Sequence, residues 1–183
     1  MKLVALERTH SPPLPGTMTY DNWMQHNHAI DSCLEVRHVD WLCSLVSSTG
    51  DRSICLFDAP YAESLREACR QARMPFQRVW TAERASAKVP PFPQCFPQHA
   101  TLIIVESHYN APITPEDDQA TQQQMQADLE ELNIQRVSVL ALDRTHAVGL
   151  FATANVEEVR SLYRRAKIPV QYIWQGTLIQ PIS

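Results

Sequence analysis

The sequence predicts an α+β protein built from two tandem β-α-β-β-α-β repeats. Three observations lead to this prediction. The stretch ARMPFQRVW (72–80) returns as AKIPVQYIW (166–174), at a constant shift of 94 residues. The same shift aligns 57–80 with 151–174 without a gap, and each half carries the same order of apolar runs. An internal duplication accounts for all three observations.

The first strand and first helix open each half. The runs LVALE (3–7) and LIIVE (102–106) are rich in β-forming residues, and both end in glutamate. A helix is predicted after each run. In the second half, Thr114 is a suitable N-cap before Pro115. In the first half, the apolar residues that share one helical face are Tyr20, Trp23, Ile30 and Leu34.

A β-hairpin is predicted next in each half. Its strands are WLCSLV (41–46) with SICLF (53–57), and VSVLAL (137–142) with AVGLF (147–151). If the turn SSTGD is centred near Thr49, Cys43 and Cys55 face each other across the two strands. The alternative is that both cysteines are small buried core residues, as is usual in a reducing compartment.

The second helix is the clearest periodic signal. Apolar positions recur at i, i+4 and i+7 in both halves, at Leu65, Cys69 and Ala72 and at Val159, Tyr163 and Ala166. Pro75 and Pro169 are expected to end these helices. The closing strands are then FQRVW (76–80) and VQYIW (170–174), and Trp80 and Trp174 in them are interpreted as packing residues.

The order β-α-β-β-α-β is the ferredoxin-like arrangement, which places both helices on one face of the sheet and leaves the other face bare. The simplest cover for that face is the other repeat. We therefore expect a pseudo-twofold intrachain dimer, with repeat 1 at 1–87, a proline-rich linker at 88–100 and repeat 2 at 101–183. The prolines of the linker favour extended geometry.

Composition limits the possible functions. The chain has 183 residues and a net charge of −4, so nothing in its charge indicates a nucleic-acid or membrane partner. No apolar run approaches 18 residues, and the N-terminus lacks a signal-peptide core, so we expect a cytoplasmic location. Only four glycines are present and no phosphate-binding motif is found, which argues against nucleotide chemistry.

Both halves resemble the small bacterial ferredoxin-like family typified by nickel-binding proteins, whose members are mostly domains of unknown function. The matching segments are VALERTH, IIVESHY, ITPED and the long stretch from Trp41 to Trp80. The resemblance implies a unit that pairs through its sheet. It also implies, for some members, nickel held by an acidic residue and a histidine at the end of the first strand and by histidines on the helices.

Carried onto this sequence, the resemblance implies a metal site at Glu106 and His108. The corresponding residues of the first half are Glu7 and Thr9. His10 follows one residue later, on the other face if the strand continues, and helix histidines are available at His26 and His28. Residues i and i+2 of a strand share a face, so Glu106 and His108 can reach one ion. Imidazole with carboxylate suits nickel, zinc or copper better than magnesium. A third ligand must come from the first half, Tyr109 or His146.

The leading hypothesis is a small binding protein for a divalent transition metal such as nickel, without enzymatic activity. A protein-interaction module is one alternative, and a small enzyme with a cavity between paired sheets is another. We expect a monomer with an internal pseudo-dimer, or a dimer formed through other surfaces, and a protein partner stays open.

Overall fold

The computed structural model describes residues 1–84, 96–97, 100–141 and 143–181. It divides into two compact units. Unit 1 is made of residues 1–82, with the described residues of 93–100 and 177–183; unit 2 is residues 101–176, with the described residues of 83–92. Most of the proline-rich segment 88–100 lies outside the described residues. The repeat boundaries at 87 and 101 stay a prediction.

Unit 1 is a four-stranded antiparallel sheet with helices. Its elements are β1 (Lys2–Thr9), α1 (Tyr20–Asn27), a 3₁₀ turn (His28–Ile30), α2 (Asp31–Glu35), β2 (Asp40–Ser47), β3 (Arg52–Ala59), α3 (Ala62–Gln71) and β4 (Arg78–Arg84). The strand order is β4-β1-β3-β2. This is the ferredoxin-like order, with the first strand beside the third and fourth.

Unit 2 has the corresponding elements. They are β5 (Thr101–His108), α4 (Pro115–Glu131), β6 (Arg136–Ala141), β7 (His146–Phe151), α5 (Val156–Arg165) and β8 (Tyr172–Ile179). The strand order is β8-β5-β7-β6. Thr114 caps α4 as predicted, since its side chain accepts a hydrogen bond from the Asp117 amide. In the described residues, no helix is both long and apolar enough to cross a membrane.

Two local expectations need correction. The predicted first helix of unit 1 is broken at Asn27, whose side chain donates to the Trp23 carbonyl at 2.8 Å.

The helices α3 and α5 end before Pro75 and Pro169, which were expected to end them. At the end of α3, Arg73 adopts a left-handed conformation (φ 55°), and the next amide bonds back to the Cys69 carbonyl. This Schellman-type cap ends the helix, and Pro75 only follows it.

The expectation that Cys43 and Cys55 face each other is also wrong. The hairpin pairs Ser44 with Cys55 and Cys43 with Leu56, which centres the turn between Thr49 and Gly50. A shift of one residue sends a side chain to the opposite face of the sheet. Both cysteines are buried free thiols, which agrees with the alternative reading.

The core of each unit lies between its sheet and its helices. In unit 1, Val4, Leu6, Cys55 and Phe57 of the sheet pack with Trp23 and Leu65 of the helices. In unit 2, the corresponding cluster includes Ile103, Val105, Phe151, Met125 and Leu162. The strand ends beyond these clusters carry the polar side chains described next.

Candidate functional site

In both units, the glutamate at the end of the first strand accepts a hydrogen bond from a tryptophan side chain of the last strand. Glu7 Oε1 accepts a hydrogen bond from Trp80 Nε1 at 2.6 Å, and Glu106 Oε1 accepts one from Trp174 Nε1 at 2.6 Å. Both carboxylates are half-buried. The two tryptophans, which the sequence suggested as packing residues, therefore also orient a carboxylate.

His10 follows β1 on the face opposite Glu7, which is the helix-covered face of the sheet. His10 is buried, and its Nε2 is 2.9 Å from the Ser53 hydroxyl. The His26 ring lies edge-to-face with it, with centroids 5.9 Å apart. His28 is exposed and donates from Nδ1 to the Gln25 carbonyl at 2.7 Å. Of the residues predicted in this half, His10 and His26 come together, whereas Glu7 and His28 do not join them.

Arg8 dominates the electrostatics of this histidine pair. Its side chain is 7 % exposed, and its Nη1 donates to Asn27 Oδ1 at 2.7 Å. Burial, then the Arg8 charge, then His26 lower the pKa of His10 to about 4, with Asp51 acting in the opposite direction. Burial and Arg8 also lower the pKa of His26. Both imidazoles therefore favour the neutral form.

A second histidine pair lies at the equivalent strand end of unit 2. His108 pairs with His146 across β5 and β7, and their ring centroids are 6.4 Å apart. Direct cross-strand neighbours share a face, which is also the face of Glu106. Asp143 Oδ1 lies 3.9 Å from His146 Nδ1. His108 is exposed and His146 is buried, so an ion could reach the pair from solvent.

The helix-covered face of unit 2 differs from that of unit 1 at two positions. Ser107 stands where unit 1 has Arg8, and Tyr109 stands where it has His10. Burial, with contributions from Tyr163 and Asp118, raises the pKa of Tyr109 to about 12. A phenolate ligand at Tyr109 is therefore disfavoured at neutral pH.

Both histidine pairs have a geometry compatible with one shared ion. Metal–nitrogen bonds of about 2.1 Å place the centroids of two imidazoles roughly 4.5–6.5 Å apart, depending on the angle at the metal. The centroid distance in unit 1, 5.9 Å, lies inside this range. The distance in unit 2, 6.4 Å, lies at its upper limit, where the two imidazoles bind on opposite sides of the ion. No cluster of three or more histidine, cysteine or carboxylate ligands occurs among the residues that the structure describes. Water would have to complete either coordination shell.

A small cavity in unit 1 lies between the sheet and the first helices, beside Arg8. Its volume is about 40 Å³. Its polar lining includes Arg8, Asn27, Asp31 and Ser44, and its apolar lining includes Leu6, Trp23, Ile30, Leu34, Phe57 and Met74. The Arg8 Nε has no hydrogen-bond partner in the described residues.

Two of these features could have been found in the sequence. In a ferredoxin-like unit the first strand runs antiparallel to the third, so the end of β5 must meet the start of β7. That rule places His146 opposite His108. Arg8 continues the alternation of Val4 and Leu6, and a charged residue in a core pattern indicates an unusual site.

The strand order and the paired histidines define a ferredoxin-like protein with histidines at its strand ends. Residues 9–81 match the family model described as Nickel responsive protein SCO4226-like. This match confirms the resemblance predicted from the sequence for that part of the chain, which lies in unit 1. The comparison with curated proteins found no match.

Two solved structures are similar to this chain at low sequence identity. The crystal structure of "Putative Chlorite dismutase TA0507" has a TM-score of 0.51 and 9% identity, covering 98% of this chain and 94% of that one. A "putative monooxygenase from Lactobacillus acidophilus NCFM" has a TM-score of 0.42 and 7% identity, with the same coverage. The first of these likenesses supports a common fold and carries no information about activity.

Proposed function

We propose that this protein binds a divalent transition metal, nickel first among the candidates, through His108 and His146 of unit 2. The observation that carries the proposal is the cross-strand pairing of the two imidazoles, with centroids 6.4 Å apart. Neutral imidazole is a common ligand of nickel, copper and zinc. The nickel-responsive description of the family matched by 9–81 supports the same class of ligand.

Charge favours unit 2 over unit 1 for a cation. The pair in unit 1 lies in the field of Arg8, which is always protonated and repels a dication. The pair in unit 2 has Ser107 at that position, and the Asp143 carboxylate lies 3.9 Å from His146. In the described residues these groups do not form a three-ligand cluster, so any carboxylate acts on the ion mainly through its charge. Glu106 already accepts a hydrogen bond from Trp174, so it would bind a metal only by sharing this carboxylate between the tryptophan and the ion. The site of unit 1 is therefore the weaker candidate for metal.

Calorimetry on protein stripped with chelator tests the proposal. We expect nickel and copper to bind more tightly than manganese or magnesium, with micromolar affinity or weaker because few protein ligands are available. His108→Ala and His146→Ala should each weaken nickel binding about tenfold or more. His28→Gln, which changes an exposed histidine outside both pairs, should not. Binding should weaken below about pH 6.5, where free imidazole takes up a proton.

Absence of binding heat with nickel, zinc and copper at neutral pH would remove the metal proposal. The interaction module would then be the better account. Equal losses of nickel affinity from His10→Ala and His108→Ala would instead contradict the assignment of the site to unit 2.

We also propose that the two halves are tandem repeats that pair within one chain. Residues on the sheet face opposite the helices are buried in each unit, including Ala5 and Leu56 in unit 1 and Leu102 and Ile104 in unit 2. Buried residues on both faces support a sheet covered on both sides. A mass in solution equal to one chain at micromolar concentration would agree with this proposal. An obligate dimer that dissociates only on unfolding would contradict it.

A further inference from the structure

We propose that the cavity beside Arg8 in unit 1 binds a small organic carboxylate with a short apolar chain. This site is separate from the metal pair of unit 2 and does not depend on it. The argument rests on three features of the described residues: an uncompensated buried cation, an apolar chamber next to it, and an open hydrogen-bonding position on the guanidinium.

The first feature is the charge of Arg8. Its side chain is 7 % exposed. Arg8 forms no ion pair with a carboxylate within 4 Å in the described ranges. Its one hydrogen bond given by the structure goes to a neutral amide, Asn27 Oδ1. A buried charge without a counter-ion costs several kcal/mol, so such groups are normally paired. Arginine cannot relieve the cost by losing its proton.

The second feature is the chamber itself. The cavity is about 40 Å³, larger than the roughly 10–15 Å³ that one water requires. Its apolar walls include Leu6, Trp23 and Phe57, which offer little to an ion surrounded by water. Ser44, which is also part of the lining, already accepts a hydrogen bond from Trp41 Nε1 at 2.9 Å. An inorganic anion would leave most of this surface unused, whereas a short hydrocarbon chain would bury it.

The third feature is the free Nε of Arg8, which has no partner among the described residues. Arginine binds carboxylate through two parallel N–H groups, a geometry that a single amide oxygen does not satisfy. The Nε atom itself is buried, so a ligand carboxylate accepts from it only after a small rotation of the guanidinium, while the ligand chain lies against the apolar wall. Asp31 also lines the cavity, but it is exposed and forms no ion pair with Arg8 among the described residues.

Thermal unfolding of the full chain with sodium acetate, propionate and butyrate tests the site, each against sodium chloride of equal ionic strength. We expect the unfolding midpoint to rise by a few °C at saturating butyrate. Apparent affinity should increase about fourfold for each methylene until the cavity is full. Quenching of tryptophan fluorescence provides a second readout, because Trp23 and Trp41 line the cavity. Butyramide, which has the same shape and no charge, should have no effect.

Asn27→Asp is the decisive variant. It places a carboxylate within reach of Arg8 Nη1 at almost unchanged volume, so the protein supplies its own anion. Butyrate affinity should fall about tenfold or more, while the unliganded protein stays folded. Arg8→Met should abolish the butyrate response, and Arg37→Met, which removes a half-buried arginine outside the cavity, should leave it intact.

Three results would overturn the proposal. One is the same unfolding midpoint in butyrate and in chloride. Another is a butyrate response in Asn27→Asp or Arg8→Met that equals that of the parent protein. The third is a response to inorganic phosphate without any response to butyrate, which would contradict the organic-acid class.

Discussion

The imidazole of His10 lies among groups that oppose its protonation. It is buried against Ser53, and both Arg8 and His26 act against a second positive charge. Only Asp51 acts in the other direction. The pKa of about 4 makes this residue a source of acid instability, and the effect can be measured separately from any metal binding.

We expect the free energy of unfolding to fall between about pH 6.5 and pH 4 because of His10. The folded-state pKa lies below the ordinary value, so the unfolded chain takes up the proton first and stability rises with pH across this window. The loss at the acid end is at most about 3 kcal/mol. Urea unfolding of the parent protein and of His10→Gln from pH 4 to 7 measures it. Parallel pH profiles for the two proteins would contradict the prediction.

At the residue scale, the sequence predicted part of the candidate site. Glu106 and His108 were implied by the family resemblance, with His146 among the possible third ligands, and the structure pairs His108 with His146 across two strands. Glu7 and His10 lie on opposite faces, as strand alternation requires. The sequence marks Arg8 as a charged residue in a core pattern, but the cavity beside it is visible only in the structure.

At the element scale, the two units use different side chains where a helix packs on the sheet, at α3 and β3 in unit 1 and at α5 and β7 in unit 2. Unit 1 places Cys69 of α3 and Cys55 of β3 in its core cluster. Unit 2 has Tyr163 of α5 and Gly149 of β7 at these positions. A Cβ atom at Gly149 would overlap the Tyr163 hydroxyl and lie 2.9 Å from the Phe151 ring. A glycine in mid-strand is explained here by the large side chain that covers it.

Gly149→Ala should therefore destabilise unit 2 by about 1–3 kcal/mol, through overpacking of a buried site. The same substitution in a Tyr163→Phe background should cost less, because the overlapping hydroxyl is gone. Chemical unfolding of the four proteins of this double-mutant cycle gives the coupling free energy. Additive effects of the two substitutions would show that the tyrosine is not the cause.

The elements themselves were predictable where local chemistry determines them. The hairpins, the Thr114 cap and the second helices follow from alternation, capping and periodicity. The predicted pairing of Cys43 with Cys55 was wrong because the turn is centred half a residue further along the chain. This shifts the register by one residue, so that Ser44 lies opposite Cys55. The break of the first helix depends on Asn27, whose contact with Arg8 joins residues 19 positions apart and is invisible to local patterns.

At the scale of the whole molecule, the core of unit 1 includes a residue from near the end of the sequence. Ile179 is fully buried in the core cluster that contains Leu6, Trp23 and Leu65. The amide of Leu178 also donates to the carbonyl of Ala100 at 2.9 Å within the same unit. No pattern in the sequence indicated that the end of β8 belongs with residues 1–82.

Ile179→Ala should lower the stability of unit 1 by about 2–5 kcal/mol, the usual cost of truncating a buried isoleucine. Hydrogen exchange followed by mass spectrometry should detect faster exchange in peptides from β1 and β3. Ile173→Ala is the matched control, because Ile173 packs against the core cluster of unit 2. Unchanged protection of β1 and β3 in Ile179→Ala would contradict the prediction.

The place of Ile179 has a consequence for biosynthesis. A ribosome makes residues 1–84 first, and domains generally fold from the N-terminus as they emerge. Unit 1 cannot complete its core in that order, because one of its buried side chains is made only after the whole sequence 101–176. During that interval the N-terminal segment exposes part of its apolar interior. We therefore expect the nascent unit 1 to present apolar surface of the kind that chaperones bind until residue 179 has been made.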